Sequence, residues 1–135
     1  MKTQIFVNLP VNDLGKSKRF FEAIGFSINP QFTDDTAACV VISDTIYAML
    51  LTHKKFKEFT PKEISDAHKS TEVLTALSAE SKEKVNEMAE KALNAGATEN
   101  YGPKDYGFMF SRSFSDLDGH IWEIMWMDMA QFPKE

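Results

Sequence analysis

The sequence holds one cysteine, Cys39, in 135 residues. A single thiol excludes an internal disulfide and any site built on several cysteines, which fits a reducing compartment with the cytoplasm as the expected location. No basic block is present either: 15 Lys and Arg stand against 20 Asp and Glu, a net charge of -5. A footprint for a phosphate backbone is therefore missing, and nucleic acid is not an expected partner. No apolar run approaches the roughly 18 residues a spanning helix needs. The first ten residues carry one lysine, a short apolar stretch containing Asn8 and no small-residue cleavage site, so neither membrane insertion nor secretion is expected. The GxGxxG and GxxxxGK phosphate loops and the GxSxG nucleophile elbow are absent. The three histidines, His53, His68 and His120, share no helix face and read as surface or turn imidazoles.

What is present is the composition of a water-soluble globular chain, 43% apolar and 26% charged. Its length predicts one domain, 1–135, able to bury about two-thirds of its unfolded surface. Aromatic residues make up 12%, which suits either a heavy core or a lined cavity.

The order of elements repeats. Gln4–Leu9 reads as a strand ending at Pro10. Asn12 or Asp13 caps a helix whose apolar face is Leu14, Phe20, Phe21 and Ile24, and Gly25 stops it. Phe26–Phe32, Ala37–Ser43 and Ile46–Thr52 have strand composition. Further on, Thr71–Ser78 reads as a strand and Ser81–Ala95 as the clearest helix, with Val85, Met88, Ala89, Ala92 and Leu93 at helical spacing before Gly96. Three strand-like pieces follow: Ala97–Tyr101, Gly107–Ser115 and His120–Met127, the last two joined through the turn Asp116-Leu117-Asp118-Gly119. The expected fold class is α+β. Two βαβββ modules, about 1–53 and 71–129, form a curved mixed sheet with helices outside and a central cavity within, joined by a connector of about 54–70.

Two phrases carry a family resemblance. Asn8 to Phe26 ends in Phe20-Phe21-Glu22-Ala23-Ile24-Gly25-Phe26, and Phe114 to Trp126 reads FSDLDGHIWEIMW. They resemble the helix signature and the closing hairpin of the vicinal oxygen chelate superfamily, the glyoxalase, bleomycin resistance and extradiol dioxygenase group. In that family the first and last strands of each module lend four side chains, commonly His or Glu, to a divalent metal. The resemblance implies Asn8, Met49, Leu74 and Glu123 at those positions, with Glu123 the one residue that matches a family ligand. An amide, a thioether and an alkyl group are poor company for a metal, so no cofactor is expected.

Glu123 shares a strand face with Ile121, Met125 and Met127. It is either bonded to backbone or to Arg112, or it faces a ligand as an acid or base whose pKa burial would raise. Arg112 lies with Phe108, Phe110 and Phe114; it is either an internal partner for Glu123 or a holder of an anionic or aromatic ligand. Cys39 reads as an inert core thiol. In the connector, Thr60-Pro61-Lys62-Glu63 predicts a short helix to about Ala67; Phe56 and Phe59 either pack on the sheet edge or a dimer partner, or belong to a lid on the cavity and so to the ligand site. The expected function is metal-independent binding of a small organic ligand by a homodimer, the dimer being implied by the resemblance. The alternative is a glyoxalase-type lyase, isomerase or thiol transferase in which Glu123 shuttles protons or binds a metal.

Overall fold

The first strand does not stop where its proline suggests. The computed structural model describes residues 1–131, and in it β1 spans Ile5–Val11, straight through Pro10. Pro10 is tolerated because β1 is the outer strand of its sheet, paired on one side with β4, Ile46–Thr52, and an edge strand has a side that needs no donor. The following helix α1, Leu14–Ala23, begins where the Asp13 carboxylate accepts a hydrogen bond from the backbone N–H of Lys16 at 3.1 Å. It buries Phe20 and Phe21, whose rings meet edge to face with centroids 5.0 Å apart. Strand β2 covers Ser27–Asn29, shorter than expected. Asn29 accepts from the backbone N–H of Gln31, and Pro30 opens a single 3-10 turn to Phe32 that ends the strand. With β3, Ala37–Val41, the first sheet has the order β1-β4-β3-β2, in which β1 and β4 run parallel.

The helix expected after Thr60 is absent, and this is a correction. A helical turn forms earlier instead, as α2, His53–Phe56, continued by a 3-10 turn Lys57–Phe59. Thr52 caps it, accepting from Lys55 N–H at 3.2 Å. Thr60 does accept a backbone bond, but from Lys62, two residues on, which closes a local turn and satisfies the hydroxyl before a helix can use it. Phe56 is half-buried, while Phe59 is 69% exposed with the Lys55 ammonium 5.7 Å from its ring centre.

The second unit repeats the order of the first. The chain divides into two compact units between Asp66 and Ala67, inside the expected connector. Strand β5 is Leu74–Ser78, three residues later than its composition suggests, and α3 is Lys82–Asn94 with Ser81 as its cap. Strand β6, Thr98–Asp105, runs past the expected end at Tyr101 and carries Gly102 and Pro103, which an edge strand with irregular register on both sides of Tyr101 accommodates. With β7, Met109–Ser115, and β8, Ile121–Met127, the second sheet has the order β5-β8-β7-β6, again with its first and last strands parallel. The fold is thus α+β, two four-stranded mixed sheets, each with a helix on one face. Phe21, Val40, Ala48 and Leu50 form the core of the first unit; Val85, Phe114, Trp122 and Ile124 form that of the second.

Candidate functional site

Side chains alternate along β8, so its two faces part company. Trp122 and Ile124 are 1% exposed, in the core with α3, while Glu123 and Met125 are half-buried on the opposite face. Glu123 is level with Ser113 on β7 and with Ala76 on β5. Among the described residues its side chain has no hydrogen bond or ion pair. The position that resemblance put at Leu74 is corrected here: Leu74 is level with Ile121 and 58% exposed, whereas Ala76 stands to Glu123 as Asn8 stands to Met49 in the first sheet. A two-residue shift keeps the same face, so the strand was right and the rung was wrong.

Arg112 is also corrected. It is level with Ile124, on the helix side of the sheet, and so on the face away from Glu123. Its guanidinium binds Glu90 on α3 at 2.8 Å and Glu99 on β6 at 2.9 Å, and donates to Asn86 on α3 at 3.2 Å. Burial works against the charge, but the bonds to Glu99 and Glu90 outweigh it and hold the pKa above its usual value. Arg112 therefore clamps the helix to the sheet, and it neither pairs with Glu123 nor shares its face.

A polar row missed by sequence reasoning lies beside Glu123. Ser111, Ser113 and Ser115 occupy the same face of β7. Asn100 ties two of them together: its Nδ2 donates to Ser113 Oγ at 3.0 Å, and Ser115 Oγ donates to its Oδ1 at 2.8 Å. Tyr101 is level with Ser113 and carries the Lys104 ammonium 4.0 Å from its ring centre. The period-two serines of SRSFS were a visible signal, but the β6 irregularity that brings Asn100 and Tyr101 to them was not.

The corresponding face of the first sheet, taken by itself, is more apolar. Asn8 is level with Met49, which is level with Cys39, and Asn8 spends its Nδ2 on the Phe6 carbonyl at 3.3 Å. Phe6 and Tyr47 stack beside them with centroids 4.8 Å apart. Cys39 is 1% exposed and burial pushes its thiol pKa up, the condition of an unreactive thiol. On the first sheet Asn8 and Met49 present an amide and a thioether, and on the second Ala76 and Glu123 present a methyl group and a carboxylate, so neither pair by itself offers the several oxygens or the His and carboxylate that divalent-metal sites take. No group of three or more His, Cys, Asp or Glu side chains among the described residues is placed to hold a metal.

The turn that aims β8 is built on Asp116. Its Oδ1 accepts from the backbone N–H groups of Asp118 at 2.9 Å and His120 at 3.0 Å, and its Oδ2 from Trp122 Nε1 at 3.0 Å. The side chain is buried, and burial pushes its pKa up against the opposing influence of His120 and of the Trp122 bond. Gly119 turns the chain at φ +86°, and a Cβ there would meet the Ala67 and His68 backbone at 2.8 Å. A cleft of about 270 Å³ beside the turn is lined by His68, Thr98, Ser115 and Asp116 among others.

Two sheets of this order, with an Asp-x-Asp-Gly turn leading to a Glu on the closing strand, make the fold found in solved proteins of the glyoxalase, bleomycin resistance and dioxygenase group. Residues 3–43 match the bleomycin resistance protein-like N-terminal family. A hypothetical protein from S. aureus is 28% identical with a TM-score of 0.77, covering 93% of this chain and 94% of that one. A glyoxalase/bleomycin resistance protein/dioxygenase family enzyme from Burkholderia phytofirmans has a TM-score of 0.77 at 16% identity, over 93% and 99% of the two chains. The fosfomycin resistance protein FosX from Mesorhizobium loti has a TM-score of 0.69 at 15% identity, over 97% of each. No curated protein matches the sequence. Among the described residues no helix is long and apolar enough to cross a membrane.

Proposed function

We propose that this glyoxalase/bleomycin-resistance-like chain binds a small organic ligand without a metal, with Glu123 as the polar anchor. The observation that carries the reading is Glu123 itself: a half-buried carboxylate at the centre of β8, beside small neighbours and without a partner among the described residues. A charge partly withdrawn from water and left unpaired weakens a fold, so its presence favours a ligand-facing role. Ile5 and Phe6 on the edge strand β1 are exposed, which supports a homodimer partner, and the low cysteine content supports a cytoplasmic setting.

The test is a thermal-shift panel of divalent metals, thiols, methylglyoxal adducts and glycopeptides, run on wild type and Glu123→Gln. The expected result is stabilisation of wild type by an organic member of the panel and its loss in the variant. Stoichiometric Zn, Ni, Mn or Fe in protein purified without chelator would overturn metal independence. Turnover of a panel member, abolished in Glu123→Gln, would establish the lyase, isomerase or transferase reading instead.

A further inference from the structure

The sheet face that carries Glu123 is uneven in height and in charge. Ala76 and Ser113 flank Glu123 on the neighbouring strands. Their Cβ atoms lie about 5 Å from that of Glu123; Ala76 is exposed and ends at its methyl group, which leaves open space beside the carboxylate on the β5 side, while Ser113, 3% exposed, closes the β7 side. Ile121 and Met125, two residues away along β8 on the same face, offer apolar contact, the thioether being readily shaped to a ligand.

Charge on this face is one-sided near Glu123. Arg112, next to Ser113 in sequence, is turned to the helix side and held there by Glu90 and Glu99. Lys104 is on the Glu123 face, but it is level with Ser111 on β6, two strands away or about 10 Å, and its ammonium sits over Tyr101. A carboxylate partly withdrawn from water gains most from a charged donor placed directly on it.

We infer that the ligand supplies that donor: it is an organic cation, an amine or guanidinium carried on an apolar body. This rests on the Glu123 face being the binding surface, as proposed above. The cation pairs with the Glu123 carboxylate in the space over Ala76, and the apolar body lies along Ile121 and Met125. An anionic ligand meets like charge there.

Three probes with one aromatic body and different charge decide the matter: phenethylamine, phenylacetate and 2-phenylethanol, titrated into the full chain and followed by amide NMR. Phenethylamine is expected to move the signals of Ala76, Ser113 and Glu123 with a Kd about tenfold or more below those of the other two probes, and Glu123→Gln to erase that preference. Ala76→Leu, at an exposed position, is expected to leave the spectrum folded and to weaken phenethylamine by filling the space beside the carboxylate. Equal or tighter binding of phenylacetate or 2-phenylethanol at these amides would overturn the cation while leaving the face as a binding surface. No response at these amides to any probe, or a phenethylamine response indifferent to both substitutions, would overturn the face as well.

Discussion

Arg112→Met separates a structural arginine from a ligand-binding one. Methionine keeps much of the apolar stem and removes the guanidinium. Lost with it are the bonds to Glu90 at 2.8 Å, Glu99 at 2.9 Å and Asn86 at 3.2 Å. Charge-assisted bonds between desolvated groups contribute about 1.5–3 kcal/mol each. Here the two carboxylate side chains are 60% and 40% exposed, so they rehydrate when the arginine goes, and each pair is worth about 1 kcal/mol. Arg112 Nε is buried without a partner among the described residues, a penalty that methionine removes. The net loss is about 1–2 kcal/mol, or about 4–8 °C in Tm for a chain of this size. Urea denaturation followed by tryptophan fluorescence measures the loss, and phenethylamine titration measures the site. The expected outcome is reduced stability with unchanged binding. Abolished binding at unchanged stability would refute the assignment of Arg112 to the helix face.

Two further substitutions probe the turn that aims β8. Gly119→Ala forces an L side chain into φ +86° and against the Ala67 backbone at 2.8 Å, and is expected to cost about 2–3 kcal/mol; Gly102→Ala, with nothing within 4 Å of the added Cβ, should cost under about 0.5 kcal/mol. Equal urea midpoints for the two variants would refute that reasoning. Asp116 has a folded pKa raised above 3.8 by burial, so the native state holds its proton more tightly than the unfolded chain, and ionisation lowers stability as pH rises from about 3.8 through the raised value. The stability difference between Asp116→Asn and wild type should therefore move in favour of the variant across that window, measured by urea denaturation at stepped pH; a difference that stays constant, or moves the other way, counts against a buried, raised carboxylate.

The repeated order strand, helix, three strands was legible because each element has its own local cause: an aspartate or serine cap, a helical apolar stripe and a glycine stop around α1 and α3, and β-branched or aromatic runs for most strands. The misreadings also have local causes. Pro10 reads as an end because proline lacks a donor, and β1 passes through it because the strand lies at an edge. Thr60-Pro61-Lys62-Glu63 looks like a capping box, yet the Thr60 hydroxyl is satisfied by Lys62. Glu123 stood out as a carboxylate in an apolar strand, and the structure leaves it in the centre of the sheet face.

Arg112 and Leu74 show where sequence ends. Alternation along one strand says that residues 121, 123 and 125 share a side, and it says that 110, 112 and 114 do; it does not say whether those two sides are the same. That depends on register, which pairs Arg112 with Ile124 and Ser113 with Glu123. A one-residue slip would have put the arginine beside the carboxylate. Likewise, only pairing shows that Ala76, and not Leu74, is level with Glu123. Caps, stripes and turns act over a few neighbours, so the repeat and most of its elements follow from local residues. Which charges meet and which stay apart depends on tertiary structure, because the partners of Arg112 lie on β6 and on α3, up to 26 residues away along the chain.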